Sequence, residues 1–314
     1  MLRFLAHRLT LAIPTLVLAS MIIFALQQLL PGDVATALTG EERDPEVIAF
    51  IRQKYHLDQP LPVRYAYWAA GVLQGDLGVS VRLQKPVAEL VLEKLPVTLE
   101  LACLAMLVAL AIGVPMGILS AVKRGTWMDA AANGIALWGL SIPNFWLGIL
   151  LILLFSVHLG WLPASGYVPP GESLVDNLRA MAMPAFVLGN AIAAVMMRHT
   201  RAAMLGVLGS DYVRTARAKG VSPLRLVLRH ALPNAAIPII TLGALEFGQL
   251  LSGAVLTEQV FSVPGFGKLM VDAVFNRDFA TVQGVVICTA ATYIALNLAA
   301  DVLSAVVNPK LRRA

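Results

Sequence analysis

The chain has 314 residues, 58% of them hydrophobic and only 14% charged, with a mean hydropathy of +0.75. That composition cannot furnish a soluble surface and marks a membrane protein. The formal net charge of +5 raises the question of nucleic acid, but the basic residues follow the membrane, and no nucleic-acid partner is read from them. Cys103 and Cys288 both lie in long apolar runs and read as packing residues. His7, His56, His158, His199 and His230 never fall three or four apart, so the spacing gives no metal cluster.

Six segments are long and apolar enough to form the roughly 20-residue helix that crosses a bilayer: 9–30, 97–122, 130–157, 180–197, 235–257 and 282–307. The first follows Arg3, His7 and Arg8 and precedes Ala35-Thr36-Ala37, the pattern of a signal peptide. Its apolar run of 22 residues exceeds the usual core of such a peptide, and it reads as a retained span. The third is interrupted at Ser141-Ile142-Pro143-Asn144, where the proline removes a helical hydrogen bond and predicts a kink. The fourth is the shortest.

Lys and Arg concentrate on cytoplasmic flanks. With both termini inside, the cytoplasmic set is Arg3, Arg8, Lys123, Arg124, Arg198, Arg201, Arg214, Arg217, Lys219, Arg225, Arg229, Lys310, Arg312 and Arg313, against Arg179, Lys268 and Arg277 in the short outer loops. Both termini are therefore placed in the cytoplasm. The long outer loop, 31–96, begins a helix at Asp44-Pro45-Glu46, continues with Val47, Ile48 and Ile51 at helical spacing, and turns at Gly75-Asp76-Leu77-Gly78. A small helical subdomain is expected there within a single transmembrane domain.

The cytoplasmic loop 198–234 carries most of the functional signal. Ser210 is placed to cap a short helix, with Asp211 against its positive end and Gly220 closing it in the left-handed conformation. Ser222 and Pro223 then open a second helix, which Pro233 stops. A basic loop can simply set topology and touch anionic lipid. Small residues beside the turn, Ala216 and Ala218, instead suit entry into another protein's groove.

Arg214-Thr215-Ala216-Arg217-Ala218-Lys219-Gly220, followed by His230-Ala231-Leu232-Pro233-Asn234-Ala235, resembles the EAA motif of binding-protein-dependent ABC importer permeases. Arg214 stands where Glu is usual, and Thr215 where the first Ala is usual. The likeness extends through Leu30-Pro31-Gly32-Asp33, Leu57-Asp58-Gln59-Pro60-Leu61, Gly75-Asp76-Leu77-Gly78, Ser141-Ile142-Pro143-Asn144-Phe145-Trp146, the run from Thr257-Glu258-Gln259 to Gly265-Phe266-Gly267, and Asn308-Pro309. Together these resemble the dipeptide, oligopeptide and nickel permease family.

The resemblance implies an all-α, six-helix type I importer fold in the bacterial inner membrane, with the loop as a coupling helix whose contacts are Asp211, Arg214, Thr215, Ala216, Arg217, Ala218, Lys219 and Gly220. It implies two ATPase subunits that bind ATP and Mg, a second homologous permease and a periplasmic binding protein, with no cofactor in this chain. Small peptides or glutathione are the expected cargo; nickel chelates, opines or a stand-alone secondary transporter are the alternatives. The spans offer a metal only the unpaired Cys103, Cys288 and His158.

The remaining constellations are weaker. Gly265-Phe266-Gly267-Lys268 lacks the first glycine of a nucleotide-binding loop, having Ser262 there, and Leu269 follows the lysine. Glu246 sits mid-span, where a bare carboxylate costs roughly 2.5–3.5 kcal/mol on insertion scales, so it is either a pathway residue, a candidate together with Gln249 and Asn144, or a neutral acid or carboxylate held by a structural hydrogen bond. Asn297 and Asp301 share a face of the last span and read as a structural anchor. Ala109, Gly113, Gly117 and Ala121 make one face of the second span small enough for close helix packing. Nothing resembles a catalytic triad or a paired-carboxylate hydrolase site.

Overall fold

A computed structural model describes residues 2–27, 45, 49, 52–53 and 58–307. Among these the regular structure is helical, apart from one isolated bridge between Val79 and Pro86. The main helices are α1 (Leu2–Gln27), α2 (Leu61–Leu73), α3 (Val87–Val122), α4 (Trp127–Ser141), α5 (Asn144–Leu151), α6 (Leu174–Leu208), α7 (Asp211–Ala218), α8 (Leu232–Val260), α9 (Phe266–Phe275) and α10 (Phe279–Val307). Among the described residues four stretches are long and apolar enough to cross a membrane: α3, α6, Pro223–Leu250 and Phe279–Ala300. The α4–α5 pair makes a fifth if it counts as one span, and α1 adds the shorter apolar helix Thr10–Leu26. Asp44, Glu46, Val47, Ile48 and Ile51 of the expected outer helix lie outside the described residues, as do Leu30–Asp33, Ala35–Ala37, Leu57, Asn308-Pro309 and the terminal Lys310, Arg312 and Arg313.

The chain packs as two units, Thr98–Val263 with the chain from Ala295 onward, and Leu2–Val97 with Pro264–Ile294. In the first, the glycines of α3 lie against α6. A Cβ on Gly113 would stand 2.5 Å from the Ala193 carbonyl oxygen, one on Gly117 2.6 Å from that of Met197, and one on Gly189 of α6 2.6 Å from that of Ala105. Only residues without side chains permit this approach. Ala109 and Ala121 are buried along the same helix, so the small face is a packing face.

The third expected span departs from a kinked rod, because α4 and α5 are bent by 100°. Pro143 forces the residue before it out of the helical region, and Ile142 and Pro143 both take extended ψ, 124° and 133°. Two extended residues break the helix outright, and Asn144 opens a new one, which winds on as a π-helical stretch, Ile152–His158. The fourth expected span is far longer than 180–197: α6 runs 35 residues. Ser173 caps its start by accepting the Asp176 N–H at 3.3 Å, and its interior is filled by the buried methionines Met181, Met183, Met196, Met197 and Met204.

In the second unit, α2 packs Tyr65 and Trp68 against Phe24 of α1, with ring centroids 5.6–5.9 Å apart, and Ser20 and Tyr65 share a 2.8 Å hydrogen bond. The chain then turns through Gly75 and Gly78, at φ +85° and +83°. Val87, Leu90, Val91, Phe266, Leu269 and Val285 form the core, with Gly284 pressed against Val87. Cys288 packs on this core as expected, but Cys103 is exposed.

Candidate functional site

The loop between α6 and α8 is built around α7. Ser210 occupies the N-cap position, but its hydroxyl donates backward to the Val207 carbonyl at 2.6 Å and so does not cap α7. Asp211 lies in the first turn and Arg217 in the last, each on the side the helix dipole favours. Thr215 Oγ1 donates to the Asp211 carbonyl at 2.9 Å. At the C-terminus Gly220 has φ +78°, and the Val221 N–H reaches the Ala216 carbonyl at 3.3 Å. That six-to-one bond across a left-handed glycine closes the helix as a Schellman motif.

Val213, Ala216 and Leu226 form a buried cluster on which Val207, Leu208 and Val221 pack. Ala216 faces the chain's own core, because positions 213 and 216 share the face turned toward the end of α6. Asp211, Arg214, Thr215, Arg217, Ala218, Lys219 and Gly220 are exposed. The Arg214–Asp211 pair is 3.4 Å apart with both side chains in solvent, a contact that stabilises little. The outward face is therefore basic and uncommitted, with Leu224 and Leu228 exposed beyond the turn. Pro233 does not stop the second helix. Pro223–Arg225 runs through a π-helical stretch, Leu226–Ala231, straight into α8, with Pro233 just beyond the π-helical stretch. Tyr212 Oη donates to the His230 carbonyl at 3.4 Å.

Arg201 counts in the sequence only as a topology charge. Its Nε and Nη2 each approach an Asp129 carboxylate oxygen at 2.9 Å. Ser120 Oγ donates to Asp129 at 2.5 Å, the Gly125 N–H at 3.0 Å and Asn133 Nδ2 at 2.8 Å. The cluster joins the end of α3, the following turn, α4 and α6.

The three pathway candidates are not brought together by any hydrogen bond or ion pair among the described residues. Glu246 is half-buried on α8 within electrostatic reach of His199 on α6, Gln249 is exposed, and Asn144 is half-buried at the start of α5. Among the described residues of this unit, Glu258 is a fully buried carboxylate, which accepts from Thr98 Oγ1 at 2.6 Å. Its sequence signal was its place in Thr257-Glu258-Gln259. Glu100 accepts from Tyr167 Oη and Asn177 Nδ2, both at 2.7 Å, tying the loop before α6 to α3. Burial, and then that bond to Glu100, push the Tyr167 phenol up to about 12.

Two family models match the chain: the binding-protein-dependent transport system inner membrane component over residues 113–313, and the N-terminal segment of such components over residues 1–102. The chain is 42% identical to the dipeptide transport system permease protein DppB of Escherichia coli K12. It is 43% identical to the glutathione transport system permease protein GsiC of Salmonella typhimurium LT2. Each alignment covers 99% of both proteins. An inward-facing form of the MetNI methionine ABC transporter matches in structure, with TM-score 0.57 and 20% identity over 70% of this chain and 96% of that one. That likeness shows the fold of an ABC importer permease, and the sequence matches, over essentially the whole length, place the chain in the binding-protein-dependent transport system inner membrane component family.

Proposed function

We propose that this chain is the pore-forming permease subunit of an ATP-driven importer of short peptides or glutathione, with both termini in the cytoplasm of a bacterial inner-membrane assembly. The observation that carries it is 42–43% identity over the full length to permeases named for dipeptide and glutathione transport. ATP hydrolysis belongs, on this reading, to two separate ATPase subunits, and a second permease and a binding protein complete the importer.

The loop's geometry supports a coupling role. A short helix closed by a Schellman turn and seated on Val207, Leu208 and Leu226 cannot be pushed without moving the end of α6 and the entry to α8. The basic surface of Arg214, Arg217 and Lys219 suits a cleft that is acidic at its mouth. A coupling contact through Ala218, Gly220 and these cations replaces the carboxylate contact that Arg214 cannot make. Glu246 is assigned to the solute pathway, since a half-buried carboxylate within a span needs polar surroundings.

The test is reconstitution of the complete complex in proteoliposomes with its binding protein, followed by ATP-dependent uptake of labelled dipeptides and glutathione against nickel chelates. Peptide uptake that requires both ATP and the binding protein is the expected result. Uptake of the chelate alone overturns the substrate, and uptake without ATPase subunits overturns the importer.

A further inference from the structure

In the first unit, α4 and α6 meet along small side chains. Ala132 and Ala136 of α4 pack on Ala194 and Met197 of α6, and all four are buried. Such a contact is close but non-directional, so it resists separation better than it resists sliding of one helix along the other. Toward the bend at Pro143 the seam carries one long hydrogen bond, from Asn190 Nδ2 to the Gly139 carbonyl at 3.3 Å. At its other end stands the Asp129 cluster. Asp129, Ala132 and Ala136 on α4, and Ala194, Met197 and Arg201 on α6, follow at three- and four-residue spacing, so the charged pair continues the same seam.

Both oxygens of that carboxylate are fully engaged. Asp129 is 7% exposed; its Oδ1 accepts from Ser120 Oγ, Asn133 Nδ2 and Arg201 Nε, and its Oδ2 from the Gly125 N–H and Arg201 Nη2. Arg201 Nε also reaches Ser120 Oγ at 2.9 Å, and Asn133 Nδ2 reaches the Asp129 carbonyl at 2.7 Å. A shift of α6 along α4 therefore strands a buried charge, a cost that the solvent-exposed Arg214–Asp211 pair does not carry. Arg201 also shares a side of α6 with Met204 and Leu208, and Leu208 belongs to the seat of α7. The fork thus lies about two helical turns from the place where α7 bears on α6.

We propose that Arg201 and Asp129 are positioning residues for transport: their pairing fixes the axial register of α4 on α6, so that a displacement delivered to α6 through α7 reaches α4 and the 100° bend that follows it. Because opening the pair strands a buried carboxylate, it acts as a fixed pin and not as a switch. The inference rests on the importer reading, which makes α7 the point where force enters.

The experiment uses the complete complex in proteoliposomes with its purified binding protein. Two quantities are measured: Tm, and uptake per ATP hydrolysed of labelled dipeptide or glutathione, whichever the parent takes up. Arg201→Lys keeps the charge and loses the fork, and Arg201→Met loses both. Combining Arg201→Met with Asp129→Leu also removes the stranded carboxylate, so the Tm of this double variant should lie above that of Arg201→Met alone. Uptake per ATP is expected to fall roughly two- to thirtyfold in Arg201→Met, to fall less in Arg201→Lys, and to stay low in the double variant although its Tm recovers. A merely stabilising pair requires uptake to return with Tm, and that result overturns the proposal. So does parental uptake per ATP in Arg201→Met, which leaves the importer reading standing because the parent still transports. A parent complex without ATP-dependent uptake removes the importer reading and the proposal together.

Discussion

Arg201 holds both carboxylate oxygens of Asp129, through Nε and Nη2 at 2.9 Å each, across 72 positions of sequence. The guanidinium fork matches that geometry, and a lysine ammonium does not. Asp129→Ala is expected to lower Tm by several degrees, on the order of what loss of a bidentate pair gives a domain of this size, and Arg201→Lys is expected to lower it less. Thermal unfolding of the detergent-solubilised protein checks this. An unchanged Tm for Asp129→Ala would show that the pair is incidental.

Gly220 sits at φ +78° with open space where a Cβ would go, so any penalty for a side chain there is conformational and not steric. Gly220→Val should add strain of about 1–3 kcal/mol, loosen the end of α7, and uncouple substrate-stimulated ATP hydrolysis from transport. Gly220→Asn, which tolerates the left-handed region, should retain most activity. Equal, normal transport by both variants would remove this loop from coupling.

Glu246→Gln keeps shape and removes charge. The expected outcome is normal assembly, judged by size-exclusion chromatography, with uptake altered in rate and in its dependence on pH. Uptake that matches the parent at every pH would make Glu246 a structural residue.

The Tyr167 phenol, raised to about 12 in the fold, ionises near 10 when unfolded. The folded state therefore holds the proton more tightly, so the stability tied to the Glu100 bond is fully present below pH about 10 and is lost as pH rises from there toward 12. Ultraviolet difference titration should show a late-ionising tyrosine that disappears in Tyr167→Phe. A titration curve identical in parent and variant would contradict the half-buried hydrogen bond.

Helix existence was largely legible because apolar runs of span length are a strong signal, and the break at Pro143 was legible because proline cannot continue a helix. The size of the bend was not, since it depends on Pro143 joining Ile142 in an extended conformation, and the proline ring fixes φ but leaves ψ open. Gly220's conformation was readable from residue type. The inward turn of Ala216 was not, because which face of an eight-residue helix is covered depends on where α6 delivers Val207 and Leu208. The Asp129–Arg201 lock and the Ser80–Asp278 bond, 198 positions apart, are long-range pairings with no local pattern to announce them. α2 was missed because its thirteen residues are too short for a span.

The glycine contacts between α3 and α6 bear on how such a protein can move. Backbone pressed on backbone leaves no rotamers to rearrange and no film of side chains to slide on, so these two helices are splinted together near Gly113, Gly117 and Gly189. Any alternation of access must carry them as one piece. A bulky residue at Gly113 would then act as a wedge, prising that piece apart before it touched the solute.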